Sequence, residues 1–129
     1  ANGLENLMIW LPATNNIASV YAAIDALVCA SLGEGFPNVV AEAMMCGVPV
    51  IGTDVGDIRE ILQNPDQIVD VGKPNQIAAK ISCLVETDHV TRDRLIVASQ
   101  ARVRDHYSVK RYVDRISDYL VEIRPKTPG

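Results

Sequence analysis

Cysteine and histidine are too sparse in this 129-residue chain to suggest a metal centre or a thiol nucleophile: there are three of one and two of the other. Cys29, Cys46 and Cys83 are odd in number and show no metal-ligand spacing, so they are expected to be buried, reduced thiols of a cytosolic protein. A catalytic cysteine needs a nearby histidine, but His89 and His106 fall far along the chain and are expected on the surface. Positive charge is also short. Twelve Lys and Arg against 16 Asp and Glu leave a net −4, which offers no footprint for nucleic acid or an anionic membrane. No apolar run reaches membrane-spanning length; the longest, around Val20 to Leu32, is broken by Asp25. A charged-then-apolar leader is lacking too, so the cytoplasm is the expected compartment. The chain opens on Ala1 rather than Met, which leaves room for processing or for a missing N-terminal part. What is present, 48% hydrophobic and 22% charged residues, is ordinary for one soluble globular α/β domain.

The rest of the chain is organised around residues 25–54. Ala26-Leu27-Val28-Cys29-Ala30 and Val48-Pro49-Val50-Ile51-Gly52-Thr53 are short apolar runs without alternation, the pattern of parallel strands buried on both faces. Between them about nine helix-compatible residues are punctuated by Pro37 near the start and Gly47 just past the end. Strand, tight loop, helix and parallel strand make a βαβ unit. Its loop, Gly33-Glu34-Gly35-Phe36-Pro37-Asn38, sits at the carboxyl edge of the sheet, where open α/β folds bind ligands.

Two glycines around a carboxylate let backbone N–H groups approach a ligand, and the following helix adds its positive end, so phosphate is the natural guest. Pro37 has no N–H to give, leaving the amides of Gly35, Phe36, Asn38 and Val39 as donors. Glu42 is the one charge on a helix otherwise built of Val, Ala, Met and Cys. Such a helix is expected to be buried, so Glu42 needs a basic partner or a polar cleft. One turn in from the phosphate end, it can accept ribose hydroxyls. Glu34, at the loop tip, can accept those of a second sugar across the phosphates. Two carboxylates bracketing a phosphate cradle suit a sugar–diphosphate–nucleoside.

Glu34 and Glu42, with seven residues between them in "SLGEGFPNVVAEAMMCGVPVIGTDVGDIREIL", resemble the E-x7-E signature of retaining GT-B glycosyltransferases, above all the large family 4, the glycosyl transferases group 1. The likeness covers nearly the whole chain. It implies a Rossmann-like parallel α/β sheet forming the C-terminal, donor-binding half of a GT-B fold, incomplete here and followed by helices. By the same resemblance Glu34 holds donor-sugar hydroxyls and is assigned to positioning rather than nucleophilic attack. Glu42 holds the ribose, and Gly35, Phe36, Pro37, Asn38 and Val39 hold sugar and diphosphate. Leu11, Pro12 and Ala13 are weak candidates for the nucleobase. The implied donor is a UDP- or GDP-sugar; no metal and no other cofactor is required. The acceptor, whether sugar, glycan or lipid-linked glycan, is not specified, and the full-length enzyme could sit at the inner face of the membrane. Asp57 stands where the family commonly has a second Gly. The family's upstream Arg and Lys, which neutralise the diphosphate, match no position here, and neither does its N-terminal acceptor domain.

Along the rest of the chain, Leu7 to Leu11 reads as a strand and Ile17 to Ile24 as a helix behind Asn15 or Asn16. Asp54 to Asp57 is a second loop on the same edge, with Arg59 expected to pair with a neighbouring carboxylate and Glu60 to support the loops. Gln67 to Val71 reads as a strand. Helices follow over residues 76–86, with Ile77, Ile81, Leu84 and Val85 as core stripe, over 93–106, with a solvated arginine face, and over 109–123. Residues 1–123 are thus one partial domain and 124–129 a tail. A sheet lacking the family's two preceding strands would expose an apolar edge, predicting a repacked sheet, self-association through that edge, or a piece of a longer chain.

The competing assignment is an NAD(P)- or FAD-type dinucleotide domain of an oxidoreductase. Gly33-x-Gly35-x-x-Asn38 nearly spells G-x-G-x-x-G, and Asp54 ends the next strand where a ribose-binding carboxylate belongs. Asn38 in place of the third glycine counts against it, and Glu42 has no role in it.

Overall fold

The computed structural model describes residues 3–122, with side chains to residue 120. The expected tail at 124–129 and the end of the last helix at Ile123 lie outside the described residues. Three strands, β1 (Leu27–Cys29), β2 (Val50–Thr53) and β3 (Ile68–Val69), form one parallel sheet in the order β1-β2-β3. Leu27 to Cys29 run beside Val50 to Gly52, and Gly52 and Thr53 beside Ile68 and Val69. Because all strands are parallel, the loops leaving Cys29, Thr53 and Val69 share one edge of the sheet.

Helix α1 (Ile17–Ala22) precedes β1. Helices α2 (Asn38–Met45) and α3 (Ile58–Leu62) follow β1 and β2, and α4 (Pro74–Glu86), α5 (His89–His106) and α6 (Val109–Glu122) complete the described residues. The core lies where α2 and α3 meet β2 and α5, with Val40, Ala43, Met44, Val50, Ile58 and Ile61 almost wholly enclosed. Each of these side chains larger than alanine contributes about 1.5–3 kcal/mol by leaving water. Gly47, at φ +80°, ends α2 where its glycine suggested.

Four expectations are corrected. Residues 8–13 form no strand: the segment is irregular, and Leu7, Ile9 and Trp10 are 78–85% exposed. A strand persists only with a ladder partner, and among the described residues none lies beside it. The stripe on α4 does not form a core, since Val85 is 74% exposed and no α4 residue is buried. The arginines of α5 are not a uniformly solvated face. Arg92 donates to the Asp25 carbonyl at 3.0 Å, and Arg102 is drawn onto the end of α3. Of the three cysteines only Cys29 is buried, while Cys46 and Cys83 are exposed; all three are free thiols. Boundaries shift as well. Helix α5 begins at His89 because Asp88 caps it, accepting the Thr91 N–H at 3.0 Å. Its carboxyl is held below the usual range by that backbone hydrogen bond.

Candidate functional site

The chain leaves β1 through residues 30–37 and enters α2 at Asn38. Pro37 takes the N-cap position in an extended conformation and offers no side-chain cap. The first N–H groups of the helix therefore depend on outside partners. Val40 N–H turns back to the Pro37 carbonyl at 3.0 Å. Among the described residues the N–H groups of Gly35, Phe36, Asn38 and Val39 donate to no protein acceptor. They lie at the positive end of α2, with Gly35, Phe36, Asn38 and Val39 exposed and Pro37 buried.

The two carboxylates of the motif flank this cluster, and each is anchored at one oxygen. Glu34 Oε1 accepts the Ser31 hydroxyl at 2.6 Å. Glu42 Oε2, one helical turn beyond Asn38, accepts the Tyr21 hydroxyl at 3.0 Å. Glu42 is exposed, which corrects the expectation of a buried charge: α2 buries Val40, Ala41, Ala43 and Met44 and leaves Glu42 on an open face. Its partner is a phenol rather than a basic side chain. The Tyr21 ring is buried, and burial followed by the hydrogen bond to Glu42 pushes its pKa up to about 12. The second oxygens, Glu34 Oε2 and Glu42 Oε1, make no side-chain hydrogen bond among the described residues.

The loop is braced from beneath. Thr53, buried at the end of β2, donates to the Ser31 carbonyl at 2.6 Å, fixing the exit from β1. Beyond it, residues 54–57 run directly under Glu34 and Gly35. A Cβ on Gly56 would stand 2.3 Å from the Glu34 carbonyl oxygen and 2.5 Å from that of Gly35. Gly56 also adopts φ +50°, so both space and backbone require glycine there. Asp57 has a negative φ, −88°, which any residue can adopt, and donates its N–H to the Gly35 carbonyl at 3.2 Å. The departure to Asp at 57 therefore brings no strain. The Arg59 guanidinium meets Asp54 twice, at 2.9 and 2.5 Å, the expected pairing with a neighbouring carboxylate. This bond holds Asp54 below the usual carboxylate range.

On the outer side Phe36 packs on Tyr107, ring centres 5.3 Å apart, and a cleft of about 600 Å³ opens beside them. Asn38, Asp57, Glu60, His106, Tyr112 and Arg115 line it with the two rings. Glu60 thus borders the cleft, while its backbone carbonyl receives Arg102. Leu11, Pro12 and Ala13 are exposed in the irregular segment before α1, with no hydrogen bond to the motif loop. Ser31, Thr53, Tyr21, Gly56 and Tyr107 escaped the sequence reading. Only Gly56 carried a signal, its glycine at the centre of a loop on the ligand edge. No three His, Cys, Asp or Glu side chains among the described residues are grouped to hold a metal ion, and no described helix is long and apolar enough to cross a membrane.

Residues 1–87 match the family described as glycosyl transferases group 1. The chain is similar to N-acetyl-alpha-D-glucosaminyl L-malate synthase of Bacillus anthracis, 34% identical over 92 residues, covering 70% of this chain and 24% of that protein. It is also similar to a trehalose synthase of Pyrococcus horikoshii, 31% identical over 98 residues, or 76% of this chain and 23% of the other. Among solved structures, the C-terminal domain of a glycosyl transferase group 1 family protein from Francisella tularensis superposes with a TM-score of 0.67 at 31% identity. That match covers 79% of this chain and 53% of that domain. The chain spans about a quarter of the length of these two curated relatives. The sheet and its helices are those of the C-terminal half of a GT-B fold, and the dinucleotide oxidoreductase is not favoured.

Proposed function

We infer that this chain, which belongs to the glycosyl transferases group 1 family, holds the nucleotide-diphosphate sugar in a retaining glycosyltransferase. The observation that carries the inference is the set of four unpaired N–H groups, at Gly35, Phe36, Asn38 and Val39, between two carboxylates each anchored at one oxygen. N–H groups at a helix start suit diphosphate oxygens. The unengaged oxygens of Glu34 and Glu42 suit hydroxyl donors, the sugar's on one side and the ribose's on the other. In the transfer the bond between the sugar's anomeric carbon and the phosphate oxygen breaks, and its electron pair leaves with the diphosphate. Helix α2 and its loop stabilise that developing charge, and the acceptor hydroxyl oxygen bonds the anomeric carbon on the same face while its proton passes to the departing phosphate oxygen. Glu34 positions the sugar and Glu42 the ribose. Leu11, Pro12 and Ala13 remain the proposed border of the base.

No step calls on a metal ion. The family's basic pair and acceptor domain correspond to nothing in these 129 residues, so the chain by itself is expected to bind donor and not to turn it over. Ligand-observed saturation-transfer NMR with UDP, GDP, ADP and NAD tests the reading. Transfer to a nucleoside diphosphate that disappears in Glu42→Ala supports it and names the base. Transfer to NAD alone would replace it with the dinucleotide reading.

A further inference from the structure

The donor loop is clasped at two places, and the second lies 71 residues further along the chain, at the junction of α5 and α6. Tyr107 is half-buried there. Its N–H closes α5 on the Val103 carbonyl at 2.9 Å, so its backbone is fixed by the helix that reaches the core through buried Val103. One face of its ring meets Phe36, with centres 5.3 Å apart and planes tilted by 49°. Such tilted aromatic pairs are attractive beyond the area they bury. The Arg102 guanidinium lies 5.8 Å from the same ring centre. Arg102 also ties the junction to α3, donating to the Ile61 carbonyl at 2.8 Å and to that of Glu60. The Tyr107 hydroxyl adds a longer contact to the Glu60 carbonyl at 3.4 Å.

These contacts close a ring. The start of α3 holds the Gly35 carbonyl through Asp57, the end of α3 holds Arg102 and Tyr107, and Tyr107 holds the Phe36 side chain. Phe36 sits between the loop glycines, Gly33 and Gly35, and the helix entry, and its own N–H is one of the four unpaired donors. Glycines leave such a loop free to turn its amides elsewhere, so a side chain that pins Phe36 fixes where they point.

We propose that Tyr107 is a positioning residue of the donor site: its ring, held by the Arg102–α3 network, locks Phe36 and thereby aims the loop amides. This rests on the donor-binding reading for its consequence on affinity. Its consequence on the loop itself does not. Tyr107→Ala is expected to weaken nucleoside-diphosphate binding about five-fold, the scale of one aromatic pair. It is also expected to speed hydrogen exchange at the Val40 and Asp57 amides, which donate to the Pro37 and Gly35 carbonyls of the loop. Tyr107→Phe keeps the ring and is expected to restore both, because the hydroxyl it lacks makes only contacts of 3.4 and 3.5 Å. Placed on Phe36→Ala, Tyr107→Ala is expected to add nothing further. The measurement is amide exchange by NMR together with titration of the chain with UDP and GDP. Unchanged exchange at the Val40 and Asp57 amides in a folded Tyr107→Ala, or additive losses in the double variant, would overturn the proposal. Tyr107→Leu keeps apolar volume without the ring and is expected to behave as Tyr107→Ala; it takes that place should Tyr107→Ala fail to fold. Absence of nucleoside-diphosphate binding by the unmodified chain would sink the donor reading alone, since loop exchange still decides the role of Tyr107.

Discussion

Replacing Gly56 by Ala isolates the contact on which the loop rests. The new Cβ would lie 2.3 and 2.5 Å from two carbonyl oxygens, those of Glu34 and Gly35. Both are main-chain atoms and cannot rotate aside like the end of a side chain. Either the motif loop rises or residues 54–57 sink, and each movement stretches the hydrogen bond from Asp57 N–H to the Gly35 carbonyl. Left-handed backbone in a non-glycine residue costs about 1–2 kcal/mol. Losing the hydrogen bond adds about 1 kcal/mol. Relieving the clash raises the total to about 3 kcal/mol or more. Gly72 supplies the control. It too has positive φ, +71°, but a Cβ there meets nothing within 4 Å, so Gly72→Ala carries the conformational cost alone. Urea unfolding of the two variants, with amide spectra of the folded forms, separates the terms. Gly56→Ala is expected to be the less stable by about 1–2 kcal/mol, with displaced resonances at Glu34 and Gly35. Equal stabilities and unmoved loop resonances would refute the bracing argument.

Other outcomes follow from the same structure. Gly35→Ala meets nothing within 4 Å and involves no left-handed backbone, so its stability should hold while nucleoside-diphosphate affinity falls at least ten-fold, an order-of-magnitude figure for blocking close amide approach; calorimetry and thermal melts read the two separately. Ile58→Ala, at a fully enclosed position between α3 and the sheet, should cost about 2–5 kcal/mol in urea unfolding. Tyr21 has a folded pKa raised to about 12 from an ordinary 10, so its contribution is complete below pH 10 and lost as pH rises through 12. Tyr21→Phe should therefore remove an alkaline stability loss on the order of 2–3 kcal/mol between those limits, measured as unfolding free energy against pH. Edge-to-edge pairing of β1, whose outer side has no described partner, should give a concentration-dependent mass by light scattering that Val28→Lys abolishes.

What the sequence made legible was local. Helix α2 and its stop were readable because Pro37 and Gly47 punctuate a short apolar segment, and β2 because an unbroken apolar run marks a strand covered on both faces. The motif carboxylates were singled out by their places in the loop and helix and by the family resemblance, but nothing in the sequence marked the Ser31 and Tyr21 hydroxyls that steady them. Tyr21 gives its ring to the core and its hydroxyl to Glu42, a division that an apolar helix face conceals. Tyr107 reaches Phe36 across the fold, and nothing local marks that contact. Leu7 to Leu11 has strand composition and no strand, because β structure is a property of pairs and its partner is absent from the described residues. The α4 stripe fails for a related reason: periodicity shows that one face is apolar, not that anything covers it.

The most direct test of the donor-loop account is to titrate isotopically labelled chain with UDP and GDP and follow each backbone amide. The largest shifts are expected on Gly35, Phe36, Asn38 and Val39, spreading towards Glu42 and leaving α4 unmoved. Shifts centred away from the start of α2, with those four amides unchanged at saturation, would contradict it.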